Sequence, residues 1–221
     1  MAKRVVIIGA GPGGMRVADG LSGALAKGAV EVTILEKKDH FDLCVGAPRA
    51  LVNPAFADEV LLPHDRILKG QKKPSVVAVA GVTAIGAGSV SCVMPGGQSQ
   101  EVPADVIVIA TGSSYKGGYL KNNDGLSKQA WVEKMAQWRA AAAKAKHILI
   151  IGGGVTGVEL VAELATEHPG CKVTLVHSGA ELCNAGKGVH DSTMSGLAAL
   201  PGTVDIITGD KVQVTEDACI W

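Results

Sequence analysis

Two glycine clusters carry the strongest chemical signal in this sequence. Gly9, Gly11 and Gly14, with Pro12 and Gly13 among them, follow the apolar run Val5-Val6-Ile7-Ile8. Gly152, Gly154 and Gly157 follow Ile148-Leu149-Ile150-Ile151, with Gly152 standing 143 positions after Gly9. Each cluster reads G-x-G-x-x-G between a strand pattern and a helix pattern. In that setting the first glycine makes the tight turn off the strand. The second lets a pyrophosphate approach bare backbone, and the third lets the helix pack closely on the strand. The helix N-terminus then offers unpaired N–H groups and a partial positive charge to phosphates. The chemistry indicated is dinucleotide binding, twice in one chain.

The residue closing each unit differs. Val30-Glu31-Val32-Thr33-Ile34-Leu35 ends at Glu36, 27 positions past Gly9, where a carboxylate can accept both hydroxyl protons of an adenosine ribose. Lys172-Val173-Thr174-Leu175-Val176 ends at His177. An acid there favours NAD and an arginine favours the 2′-phosphate of NADP. His177 does neither strongly, so the preference between them stays open. Glu159, two residues past Gly157, has two readings: a first-turn carboxylate that complements the helix dipole, or a group aimed into the site. A third element, Ala104 to Gly112, reads as a buried strand ending in the small, permissive turn Ala110-Thr111-Gly112.

These residues need an α/β scaffold. Each glycine cluster lies in a strand–turn–helix–strand segment of about thirty residues, the βαβ context that the motif requires. Between the copies, Asn53 to Leu68 reads as loop and helix, and Val76 to Ala110 as several strands around a Pro95-Gly96-Gly97 turn, a β-meander. Ser127 to Lys146 reads as a helix capped by Ser127, with Trp131, Met135 and Trp138 on one core-facing stripe. Gly112 to Asp124 reads as the link. The expected fold is two Rossmann-like, three-layer βαβ domains with a β-meander insert, over residues 1–122 and 123–221, the second incomplete.

Composition agrees. The chain has 221 residues, 47% of them hydrophobic but only 3% aromatic, so the core is mainly Val, Ile, Leu and Ala, as buried parallel strands prefer. Its 29 glycines are about twice average usage, and the two clusters account for much of the excess. With 21 basic and 21 acidic residues, nothing indicates a nucleic-acid partner, and the short runs Lys37-Lys38 and Lys72-Lys73 read as solvated surface. No run reaches the roughly 18 apolar residues of a membrane span, and Met-Ala-Lys-Arg is not a signal peptide. Cytoplasmic location is the expectation; association with mitochondria and peripheral membrane contact both stay compatible with the sequence. Cys44, Cys92, Cys171, Cys183 and Cys219 are odd in number, widely spaced and without a CxxC, so reduced thiols are expected, with no zinc motif. No feature sets an oligomeric state.

Taken together, the first motif with its terminal acid, the meander, the Ala-Thr-Gly strand and the second GGGxxGxE resemble the pyridine nucleotide–disulfide oxidoreductase superfamily. Within it, Lys38-Asp39-His40-Phe41, Ala47-Pro48-Arg49-Ala50, Gly152 to Leu160 and Val173 to Ser178 resemble the apoptosis-inducing-factor-like group, which includes ferroptosis suppressor proteins and type II NADH:quinone reductases. The resemblance implies FAD on the first unit and NADH or NADPH on the second. It implies that Gly9, Gly11, Pro12, Gly13 and Gly14 hold the FAD pyrophosphate and that Glu36, with Lys37 beside it, meets the ribose. Arg49 would lie near the flavin, Val82 would contact adenine through its backbone, and Ala110, Thr111 and Gly112 would close over FAD. Gly152, Gly154, Thr156, Gly157, Glu159 and His177 would engage the nicotinamide nucleotide. Hydride would pass from nicotinamide to flavin and on to a small quinone-like acceptor.

Two departures qualify this. A disulfide reductase needs a CxxxxC pair after the first acid, and only Cys44 lies there. The resemblance also implies a later Gly-Asp segment for the FAD ribityl chain and a C-terminal interface domain, so the sequence reads as a truncated member, a fragment or a partial gene model. The competing reading is a non-catalytic dinucleotide-binding protein. A flavin monooxygenase has no matching signature between the glycine motifs. No residue is a convincing acid, base or nucleophile.

Overall fold

The computed structural model describes residues 1–68, 72–114, 120–122, 125 and 127–213. Cys219 and much of the Gly112–Asp124 link lie outside the described residues. The first elements are β1 (Lys3–Ile8), α1 (Pro12–Gly20), α2 (Ser22–Ala26), β2 (Val30–Glu36), β3 (Phe41–Asp42) and α3 (Ala47–Val52). Then come α4 (Ala57–Val60), β4 (Leu61–Leu62), α5 (His64–Ile67), β5 (Ser75–Ala78), β6 (Gly81–Ile85), β7 (Ser89–Val93), β8 (Ser99–Pro103) and β9 (Val106–Ile109). The last are α6 (Lys128–Ala142), β10 (His147–Ile151), α7 (Val155–Glu167), β11 (Lys172–His177), α8 (Lys187–Ala198) and β12 (Val204–Thr208). The chain divides into two compact units: Met1–Leu43 with Asp58–Trp131, and Cys44–Ala57 with Val132–Trp221.

Unit 1 is a parallel sheet in the order β5-β2-β1-β9. Strand alternation sorts its core into two layers. Val5 and Ile7 face Met15 and Ala18 of α1, while Val6 and Ile8 face Val90 and Cys92 of the antiparallel β6-β7-β8 meander. The three-layer expectation is therefore met in this unit. The meander is narrower than the expected Val76–Ala110 span, because β5 and β9 at its ends join the parallel sheet. Both pairings use the same two-residue period, so periodicity could not separate them. β9 was expected to be buried, but it is an edge strand with Ile109 66% exposed. Arg4 ties the start of β9 to β1 by donating from its backbone N–H and guanidinium to Asp105, which holds that carboxyl down at about 2.

Unit 2 repeats the arrangement as a parallel sheet, β10-β11-β12. Leu160, Val161, Leu164 and Ala165 of α7 are buried. Gly157 brings the helix so close to the turn that an added Cβ would lie 1.9 Å from Gly152 O. The opposite face differs from that of unit 1. Ile151 pairs with Val176, and Val176 with Ile207, making an apolar row across the sheet. Leu149 and Ile151 are 49% and 54% exposed, whereas their counterparts in the first copy, Val6 and Ile8, are buried under the meander.

This difference predicts unequal costs for one chemical change. Ile8→Ala removes buried methyl groups and should cost about 2 kcal/mol or more. Ile151→Ala at the equivalent place should cost under about 1 kcal/mol, as surface changes do. Urea unfolding of the two variants of this chain checks the contrast, and equal costs would mean that something covers the Ile151 face.

α6 starts as expected, with Ala130 N–H donating to Ser127 Oγ over 3.3 Å. Its stripe of Trp131, Met135 and Trp138 is buried. No helix among the described residues is long and apolar enough to cross a membrane.

Candidate dinucleotide sites

The first glycine turn is built by backbone constraints. Gly9 has φ +104°, and its N–H donates to Leu35 O over 2.9 Å. A Cβ on Gly9 would lie 2.5 Å from Ala110 O, and Ala110 N–H donates to Ile8 O, so the Ala110–Thr111 turn lies against the glycine turn. A Cβ on Gly14 would lie 1.9 Å from Gly9 O. Gly11 is the N-cap of α1, with φ −70° and ψ −176°, and Pro12 fits the first helical turn. Around Gly11 and Gly13 an added Cβ would meet nothing within 4 Å. The backbone is thus tight where the helix meets the strand and open where a pyrophosphate must approach, which fits the group the motif implies. Thr111 and Gly112 are exposed, Gly112 has φ +71°, and Val82 packs at the margin of the meander core.

Glu36 is 8% exposed and already engaged. Its Oε2 accepts from Ala10 N–H over 2.5 Å, and Oε1 accepts from Lys37 N–H over 2.8 Å and Lys38 N–H over 3.0 Å. Three of about four acceptor positions on the carboxylate are filled by backbone, leaving room for a hydroxyl donor. The Lys37 side chain is exposed. Lys38 is a correction to the solvated-surface expectation: its side chain is 12% exposed and reaches Asp42 Oδ2 over 3.6 Å. Asp42 is buried and also accepts from Asn122 N–H, so the lysine neutralises an acid that folding removes from water.

Sequence reasoning missed this polar cluster after Glu36. His40, 1% exposed, meets Asp39 Oδ1 over 2.7 Å through Nδ1, and Asp39 also accepts from Lys128 N–H. Burial pushes the His64 imidazole down against the pull of Glu36. The Lys-Lys-Asp-His-x-Asp run at 37–42 was its only signal.

The second turn copies the first. Gly152 has φ +107°, and its N–H donates to Val176 O over 2.8 Å. Gly154 caps α7 with φ −71° and ψ 174°, and nothing lies within 4 Å of an added Cβ there. A Cβ on Gly157 would lie 1.9 Å from Gly152 O. Thr156 is exposed in the first turn of α7. His177 is buried, and its Nδ1 accepts from Gly153 N–H over 3.2 Å.

Glu159, Glu163 and Glu167 recur every four residues along α7. Arg49, carried by α3 in the same unit, donates to Glu163 Oε1 over 2.8 Å and lies 5.5 Å from the Phe56 ring centre. Burial, reinforced by Glu163, pushes the Glu159 carboxyl up, and Arg49 opposes this. Arg49 thus sits in the second unit with the α7 glutamates, a placement that sequence order alone gave no reason to expect.

The family model for pyridine nucleotide-disulphide oxidoreductases matches residues 3–219. Apoptosis-inducing factor homolog B of Dictyostelium discoideum is 30% identical over 97% of this chain and 54% of its own length. Ferroptosis suppressor protein 1 of Homo sapiens is 30% identical over 83% of this chain and 46% of its own. The chain therefore spans about half the length of the curated relatives it matches. NDH2 of Plasmodium falciparum, solved in complex with NADH, superposes with a TM-score of 0.68 at 14% identity, covering 94% of this chain and 48% of that one. That likeness concerns the fold. A flavin and a nicotinamide nucleotide are the cofactors that accompany the family. With a matching family model over almost its whole length and two glycine turns of the corresponding design, this chain belongs to the pyridine nucleotide-disulphide oxidoreductases.

Proposed function

We propose that this chain carries the two nucleotide sites of an FAD-dependent NAD(P)H oxidoreductase that delivers electrons to a small quinone-like acceptor. The observation that carries the reading is the duplicated turn. Gly14 and Gly157 each press a helix N-terminus onto its strand, and Gly11 and Gly154 each leave the backbone open beside it. One such turn binds one pyrophosphate, and two suit a protein handling two dinucleotides.

In this reading residues 1–122 serve FAD and residues 123–221 serve the nicotinamide nucleotide. Gly9, Gly11, Pro12, Gly13 and Gly14 hold the FAD pyrophosphate, and Glu36 takes a ribose hydroxyl on its remaining acceptor position while Lys37 fixes the carboxylate through its N–H. Val82, Ala110, Thr111 and Gly112 border the same cofactor. Gly152, Gly154, Thr156 and Gly157 hold the second pyrophosphate, with His177 at the strand end. Glu159 and Arg49 belong to the reactive end, where the Glu159 carboxyl, pushed up by burial, is poised to keep its proton more readily than an ordinary glutamate. Bound together, the two cofactors supply the hydride chemistry, and the chain's task is to bind and orient them. The absence of a dedicated acid, base or nucleophile among the motif residues agrees with that division. A cytoplasmic setting is part of the same proposal.

The purified chain, incubated with FAD and desalted, should retain a visible flavin band that bleaches when NADH or NADPH is added without oxygen. A retained band that neither nucleotide bleaches would favour a dinucleotide-binding protein without catalysis. A colourless protein would remove the oxidoreductase reading from this chain.

A further inference from the structure

His64, the first residue of α5, is an imidazole of unit 1 set among charges with no outlet for a second proton. Its Nε2 is buried without a hydrogen-bond partner among the described residues. The ring also hydrogen-bonds to the His40 backbone, and with Nε2 unpartnered that bond falls to Nδ1. A neutral imidazole donating from Nδ1 carries a bare lone pair on Nε2. Protonation therefore places a buried N–H where no acceptor waits, and a buried donor or charge without a partner is costly. Burial, the largest influence, holds the His64 imidazole below its ordinary value. Glu36 at the end of β2 favours the positive ring, while the His40 ring and Lys38 oppose it. The other acids of this cluster are engaged: Asp42 of β3 by Lys38, and Asp39 by the His40 ring and Lys128 N–H. On α5 itself Asp65 and Arg66 are exposed. Lys73 reaches the same helix through the Asp65 carbonyl, which adds positive charge and no acceptor.

Glu36 is thus the acid whose charge acts on the His64 ring. Three of its roughly four acceptor positions hold the N–H groups of Ala10, Lys37 and Lys38. The last is the one that a ribose hydroxyl takes in the proposed function. A proton on His64 and a ribose hydroxyl therefore draw on one carboxylate. Resting on the assignment of FAD to unit 1, we propose that this unit is acid-sensitive: protonation of His64 draws Glu36 away from the glycine turn and the ribose, and FAD is released in mildly acid solution. The direction follows from linkage. A histidine held below its ordinary value takes up protons when its surroundings open. The stability given by the neutral ring is complete above the unfolded value of about 6.5 and is lost as pH falls through it toward the lowered folded value. FAD affinity falls in the same direction, because the bound ribose and the proton exclude each other at Glu36.

The test is equilibrium dialysis of FAD against the chain and against His64→Gln, at about pH 7.5 and about pH 5.5, either side of the ordinary imidazole value. The native dissociation constant should rise by about fivefold or more at the lower pH. His64→Gln cannot take up the proton, so it should match the native chain at the higher pH and keep most of its affinity at the lower. A second measurement needs no variant. In the native chain without FAD, NMR should show the His64 ring titrating below about 6.5, with the Ala10 amide resonance moving at the same midpoint as Glu36 leaves the turn. Equal acid weakening of FAD in the native chain and in His64→Gln would overturn the proposal. So would an Ala10 amide indifferent to the His64 titration, or a His64 ring that titrates at or above the ordinary value. A folded chain that shows the coupled His64 and Ala10 titration but binds no FAD at the higher pH would instead overturn the assignment of FAD to unit 1. The acid-sensitive turn would then stand without its cofactor.

Discussion

Gly14→Ala is expected to prevent unit 1 from folding, whereas Gly11→Ala, three residues away, is expected to leave the fold intact and weaken the FAD binding proposed for it. The two glycines share a motif but answer to different constraints. A methyl on residue 14 would lie 1.9 Å from the Gly9 carbonyl oxygen, and both are backbone-anchored, so neither can swing aside. Relief requires lifting α1 off β1, which breaks the Met15 and Ala18 contacts with Val5 and Ile7. The loss should exceed about 4 kcal/mol, in the range that only severe core faults reach. Gly157→Ala should do the same to unit 2, where the methyl would meet Gly152 O at 1.9 Å. At Gly11 the backbone is in a conformation open to any residue, and nothing lies within 4 Å of the new methyl. Stability should change by less than about 0.5 kcal/mol, as at an ordinary surface site. The methyl instead enters the space a pyrophosphate needs, and FAD affinity should fall by at least about tenfold. Circular dichroism with urea separates folding from binding, and the flavin band after desalting reports the cofactor. A normally folded Gly14→Ala chain would refute the packing argument, and a Gly11→Ala chain with native FAD affinity would refute the placement of the pyrophosphate.

The same contrast explains what the sequence disclosed. The glycine turns were legible because each is local: strand, turn and helix lie within a few residues, and only glycine satisfies the close approach at positions 14 and 157. The strands and the α6 stripe were legible from their periods. Positions that depend on distant partners were not. β5 and β9 look like meander strands until β1 and β2 are seen to have free edges for them. Segment Cys44–Ala57 precedes the meander in sequence but belongs to the unit that contains α7, and Arg49 meets Glu163 across 114 positions. Lys38 reads as surface until Asp42 is found buried beside it. The exposure of Ile151 runs against its similarity to Ile8, because what differs is the layer outside the strand.

Glu36 shows how one residue can satisfy the motif and the fold at once, and this gives the second large expected effect. From its place at the strand end, its carboxylate suits a ribose. In the structure three backbone N–H groups, from Ala10, Lys37 and Lys38, already converge on it. Glu36→Ala would leave all three without their acceptor in a site that is largely closed to water. At about 1–3 kcal/mol for each stranded donor, with partial rescue by water, the net cost should be about 3 kcal/mol or more. Glu36→Gln keeps one oxygen and turns an N–H donor toward the remaining groups, so it should cost about 1–2 kcal/mol while still weakening FAD. His177 offers the control within the same molecule. It accepts a single N–H, from Gly153, so His177→Ala should cost only about 1 kcal/mol. Urea midpoints for the three variants order these costs. If Glu36→Ala proves as stable as the native chain, the carboxylate is held for the ligand alone, and the turn must keep its shape through the Gly9 and Gly14 backbone contacts. If the expected order holds, the acid at the end of β2 fixes the glycine turn before any nucleotide arrives, and the proposed site is preorganised by the residue assigned to the ribose.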